Sequence, residues 1–125
     1  MTRNLRILGA ITAGYSALIV VRPQVLAKPC RMTDAAGRTP WPVRVLVQGV
    51  GVRDTAIGVA MMTAPAGTAL TAVTLARVAA DAGDAVAFGL ALPDLRTKAK
   101  IAGFAALWAC LNAVALDREG SLRRP

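Results

Sequence analysis

The chain contains no histidine, only two cysteines, and 4% aromatic residues in a length of 125. Without histidine, zinc and haem sites lack their usual nitrogen ligand. No Cys, Asp and Glu cluster has metal-ligand spacing either, so neither a metal nor a cofactor is expected. Two cysteines make no disulfide framework. Cys30 falls in a connection and Cys110 inside the last apolar run, so both read as free thiols. The shortage of Phe, Tyr and Trp counts against a soluble domain, which uses them to fill its core. Acidic residues are scarce too: 7 against 15 Lys and Arg, a net charge of +8. In a soluble protein that excess would suggest nucleic acid. Here, no basic stripe is interleaved with aromatics, and most cations flank apolar runs. Anionic lipid headgroups are their expected partners, and nucleic acid is not.

What fills the chain instead is alanine, valine, leucine and glycine. Hydrophobic residues reach 55% and mean hydropathy is +0.51, above the roughly 45–50% apolar share of ordinary soluble domains. Small residues in apolar runs suit membrane helices that approach one another closely. The expected fold is all-α: a four-transmembrane-helix bundle running up-down-up-down, one membrane domain over residues 1–125. The helices are expected over residues 5–26, 43–64, 67–92 and 99–116, with a charged, frayed tail over 117–125. Arg22 and Pro23 sit near the end of the first run, where proline either kinks or stops a helix. Residues 27–42 form a basic, proline-rich connection in which Trp41 stands as an interfacial anchor. Ala64, Pro65, Ala66 and Gly67 predict a tight turn, and hence an antiparallel pair on either side of it. Counting cations favours the two longer connections as the cytoplasmic side.

Charges inside such runs are costly and need partners. The second run carries Arg53 and Asp54; the third carries Arg77, Asp81 and Asp84. At 100° per residue the last three fall within a sector of about 60° on one helical face. With about eleven residues between each arginine and the turn, Arg53 and Arg77 reach similar depth, and the two charged sets can meet. Three carboxylates against two guanidinium groups leave one excess negative charge. An uncompensated charge at such a site neutralises, so Asp84 or Asp81 is expected to hold a proton or a cation. Tyr15, Gln48 and Asn112 are the polar residues expected to line the same interior. Gly51, Thr55 and Gly58 share a face and predict a small-residue packing seam.

The opening Arg6-Ile7-Leu8-Gly9, the segment Gly51-Val52-Arg53-Asp54-Thr55-Ala56-Ile57-Gly58 and the acidic third run together resemble a family of small bacterial membrane proteins. That family is a domain of unknown function, distantly similar to the DoxX-like group. The resemblance spans roughly residues 5–116 and implies an integral protein of the bacterial inner (plasma) membrane. It supplies no catalytic residue. The quinone and sulfur redox chemistry linked to DoxX-like proteins is not carried over, because paired cysteines and histidine are missing.

Two functional classes follow. The first is non-enzymatic: a structural or accessory membrane protein, or a binder of a lipid-like molecule, working as a homo-oligomer or with a partner membrane protein. The second is a membrane-embedded isomerase or cyclase using acid/base chemistry on an isoprenoid- or quinone-like substrate. Asp84 or Asp81 would then be the general acid, with Arg53 or Arg77 holding developing negative charge. An apolar cavity reaching the cluster separates the two classes.

Overall fold

Prolines, Gly67 and Asp94 set most of the described limits of the long helices. The computed structural model describes residues 2–123, with side chains described over 2–120, and among them it is all-helical. Helix α1 spans Arg3–Val21. It stops earlier than the expected residue 26 because a residue before proline is pushed out of the helical region. Arg22 stands at φ −130°, ψ 81°, and its N–H still reaches back to Leu18 O at 2.7 Å. A separate single turn, α2 (Gln24–Ala27), follows. It closes through Arg31, which adopts a left-handed φ of 57° while Met32 N donates to Ala27 O at 2.9 Å. Asp34 then orders the loop: its Oδ1 accepts from the backbone N–H of Ala36 and of Arg38.

Helix α3 covers Trp41–Thr63, with Pro40 at its N-cap and Pro42 in its first turn, where a missing N–H costs nothing. The expected tight turn follows. Gly67 holds φ 103°, ψ −138°, a region closed to other residues, and caps α4 (Thr68–Ala91). After Pro93, Asp94 caps α5 (Leu95–Arg123): its carboxylate accepts from Thr97 N at 2.9 Å and from Thr97 Oγ1 at 2.8 Å. The last helix thus begins four residues before the expected 99 and continues through the segment read as a frayed tail. Residues 124 and 125 of that tail lie outside the described residues. At 1.5 Å per residue α5 is about 43 Å long, so both its charged ends extend past its apolar middle.

Three helices, α1, α3 and α5, are long and apolar enough to cross a membrane. Helix α4 is as long, with 24 residues, but carries Arg77, Asp81 and Asp84.

The helices pack as two antiparallel pairs, α1 with α3 and α4 with α5, and the pairs touch more sparingly along α3 and α4 and between α1 and α5. The α1/α3 seam is built on missing side chains. A Cβ added to Gly58 would lie 2.6 Å from Ala13 N and Gly9 O, and one added to Gly51 would lie 2.9 Å from Ser16 O. The expected seam of Gly51 and Gly58 is therefore present, with Thr55 Oγ1 turned back to Gly51 O at 2.7 Å. Its counterpart on α1 is Gly9, Ala13 and Ser16. On the other pair, Gly89 of α4 sits against Ala102 of α5. Trp108 Nε1 donates to Thr12 Oγ1 at 3.0 Å and so joins α5 to α1.

Beside buried apolar residues such as Leu5, Met61 and Leu70, the interior holds many polar groups, and large apolar side chains line the outside. Thr12, Ser16, Thr74, Arg77, Asp81 and Asn112 are buried, whereas Ile11, Leu18, Leu46, Val52, Leu75, Val86, Leu90 and Phe104 are exposed. Only 33%, 22% and 17% of the apolar stretches of α1, α3 and α5 are covered by protein. Most of their hydrophobic surface therefore faces outward, as lipid-facing helices require.

Candidate functional site

Helix α4 places Leu70, Thr74, Arg77 and Asp81 on its buried side, each three or four residues apart, and Asp84 continues that line. Opposite them, α3 presents the adjacent pair Arg53 and Asp54. The five charged residues singled out from the sequence form one connected row. Arg53 Nη1 and Nη2 donate to Asp84 Oδ1 and Oδ2 at 3.2 and 2.7 Å, a two-pronged pairing between α3 and α4. Arg53 Nε donates to Asp54 Oδ1 at 2.7 Å. The same Oδ1 lies 3.1 Å from Arg77 Nη1, an ionic contact without hydrogen-bond alignment. Arg77 in turn holds Asp81, one turn further along α4, through Nε at 2.8 Å and also through Nη2.

The signs alternate along this row: Asp84, Arg53, Asp54, Arg77, Asp81. Each arginine bridges two carboxylates and Asp54 is shared by both, so three carboxyl groups meet two guanidinium groups. The two ends of the row differ in exposure. The Arg77 side chain is 2% exposed and that of Asp81 7%, while that of Arg53 is 38% exposed. One end is sealed between helices and the other reaches the surface of the bundle.

The three residues expected to line an interior have different surroundings. Tyr15 is exposed on α1. Asn112 is fully buried on α5 and donates through Nδ2 to Trp108 O at 2.9 Å, within its own helix. Gln48 donates from Nε2 to Val20 O at 2.9 Å, bridging α3 to the end of α1. Of the three, Gln48 lines the larger of the two described clefts, about 660 Å³, beside Arg22, Lys28, Thr39 and Arg44. The smaller, about 30 Å³, lies at the opposite end among Leu5, Gly67, Leu70, Thr71, Leu116 and Glu119. Neither includes a residue of the charged row.

Two polar contacts were not foreseen. Arg6 donates through Nη1 to Met62 O and through Nη2 to Ala64 O at 3.0 Å, placing a guanidinium on the terminal carbonyls of α3. At the other end of the bundle, Arg31 and Asp94 pair at 2.8 Å and link the two longer connections. The hydrogen bonds from Thr97 and Arg31 hold the Asp94 carboxyl at about 2, below its usual range. Cys30 and Cys110 are both free thiols, and burial pushes that of Cys30 up to about 11. No family model, curated protein or solved structure matches this chain.

Proposed function

We propose that this chain is an integral membrane protein whose helices α1, α3, α4 and α5 all cross the bilayer, up-down-up-down. In this reading the charged row is a structural junction that holds one helix pair in register with the other. The protein acts as a structural or accessory subunit, or as a binder of a lipid-like molecule, in company with a second copy or a partner membrane protein. The resemblance to a family of small bacterial membrane proteins of unknown function favours the bacterial inner membrane. The cation count favours the two longer connections on the cytoplasmic side.

The observation that carries the proposal is the alternating row itself. Helix α4 has three charges that lipid would not tolerate alone, and each meets an opposite charge from α3 or from its own preceding turn. With its three charges paired, and Arg77 and Asp81 buried, α4 can span as the other three helices would. An acid/base isomerase or cyclase would need an apolar cavity opening on Asp81 or Asp84. The two described clefts lie elsewhere, so the structural reading stands first.

Alkaline carbonate extraction of membranes from cells expressing the full chain tests the setting. The chain is expected to stay with the bilayer, and release into the soluble fraction would sink the proposal. The junction is tested by replacing Arg77, Asp54 and Asp81 together with leucine. Apolar residues of similar volume often restore what a broken ion pair loses. A triple variant as stable as the parent supports a purely structural row. A stable triple variant that no longer complements loss of the gene would instead show that the charges act chemically.

A further inference from the structure

The larger cleft lies where α1 ends, α2 turns and α3 begins, and its charged lining is all of one sign. Arg22 at the end of α1, Lys28 at the end of α2 and Arg44 in the first turn of α3 line the same space, together with Thr39, Gln48, Val21 and Val25. No lining residue is acidic. Among the described residues, none of these three cations has an ion pair or a side-chain hydrogen bond, whereas the neighbouring Arg31 and Arg38 are paired with Asp94 and Asp34. Like charges gathered round one space repel one another unless an anion sits among them.

A second, independent observation points the same way. Thr39 is buried, at 7% exposure, and its Oγ1 has no hydrogen-bond partner among the described residues. Buried hydroxyls are ordinarily satisfied, and this one stands in the wall of the cationic cleft. Immediately after it, α3 starts with no side-chain cap and no acidic residue in its first turn, so the positive end of the helix is uncompensated on the same side.

We propose that this cleft binds a phosphate-bearing anion: three cations neutralise it, the Thr39 hydroxyl donates to one of its oxygens, and Val21 and Val25 lie beside whatever the phosphate is attached to. That chemistry belongs both to the headgroup of an anionic phospholipid and to a free phosphate compound. The lipid source rests on the membrane reading given above; the phosphate site itself does not.

The experiment is calorimetric titration of the purified full chain in maltoside micelles. The probes are short-chain phosphatidylglycerol, short-chain phosphatidylcholine and inorganic phosphate, used separately and in competition. Saturable binding of phosphatidylglycerol but not phosphatidylcholine is expected. Loss of each cation, as Arg22→Gln, Lys28→Gln or Arg44→Gln, should weaken it about fivefold. Thr39→Val should weaken it too, and Arg38→Gln, outside the cleft, should leave it unchanged. Competition by inorganic phosphate identifies a free phosphate compound as the ligand; its absence identifies the lipid. Failure of both anions to bind, or an equal loss in Arg38→Gln, overturns the proposal. The three cations are exposed, so helix content by circular dichroism should match the parent. Should Arg44→Gln alter it, Lys28→Gln, outside the long helices, decides. A chain that proves soluble without detergent would end the membrane reading, and the inorganic phosphate titration on that soluble chain would still decide the cleft.

Discussion

Helix α3 meets its two neighbours in opposite ways. Towards α1 it offers Gly51 and Gly58, and the backbones come so close that a single methyl group would collide with main-chain atoms. Towards α4 it offers Arg53 and Asp54, whose long reach bridges a sparser contact. The first seam relies on contact between surfaces, which dispersion rewards only at close range. The second relies on ionic groups that act across a gap and are indispensable once buried, because a lone survivor has nowhere to go. A helix can therefore carry a rigid joint on one face and an adjustable one on the other.

Breaking the charged joint should produce the largest effect. Arg77→Leu strands Asp81 and leaves Asp54 with Arg53 alone, and should cost about 3–5 kcal/mol in thermal or denaturant unfolding of the detergent-solubilised protein. A loss below about 1 kcal/mol would mean that water already serves these carboxylates. Next comes the close joint: Gly58→Ala should cost about 1–3 kcal/mol by forcing α1 away from α3. Its counterpart Gly83→Ala, on the charged helix and with open space around its Cα, should be neutral or slightly stabilising. Equal effects at the two glycines would erase the contrast between the seams. A smaller loss, about 1 kcal/mol, is expected for Arg6→Gln, which frees the terminal carbonyls of α3 without touching either seam.

The smallest effect concerns the link between connections. Asp94 has its folded pKa lowered to about 2, below the usual value of about 3.9 for an unfolded chain. Its contribution is thus complete above about pH 4 and fades as pH falls towards 2. An NMR titration of the Asp94 carboxyl should place its midpoint near 2, moving upward in Arg31→Gln. A midpoint near 4 in the parent would show that the two connections are not tied.

The sequence made the charged face of α4, the turn at Gly67 and the seam through Gly51 and Gly58 legible, because each depends on spacing along one helix. What it left open was rotation and partnership. Gly9, Ala13 and Ser16 carry no sign that α3 is the helix they will meet, and the strong pairing of α1 with α3 follows from that match. The ends of α1 and α5 were misjudged for local reasons. Pro23 is compatible with either a kink or a stop, and the backbone at Arg22 takes the second course and leaves the helical region. Asp94 with Thr97 is a helix-capping pattern, but Arg96, Lys98 and Lys100 made the same residues look like a loop. For the charged row, the sequence showed that the groups could share a depth; the sharing of Asp54 between two arginines needed coordinates.

The grip of Arg6 on the last carbonyls of α3 bears on how the chain is made. The first helix is made before the carbonyls of Met62 and Ala64, the glycines at 51 and 58, and the indole of Trp108. The first segment therefore keeps its small-residue face uncovered until α3 has been made, and its tie to Trp108 comes only with α5.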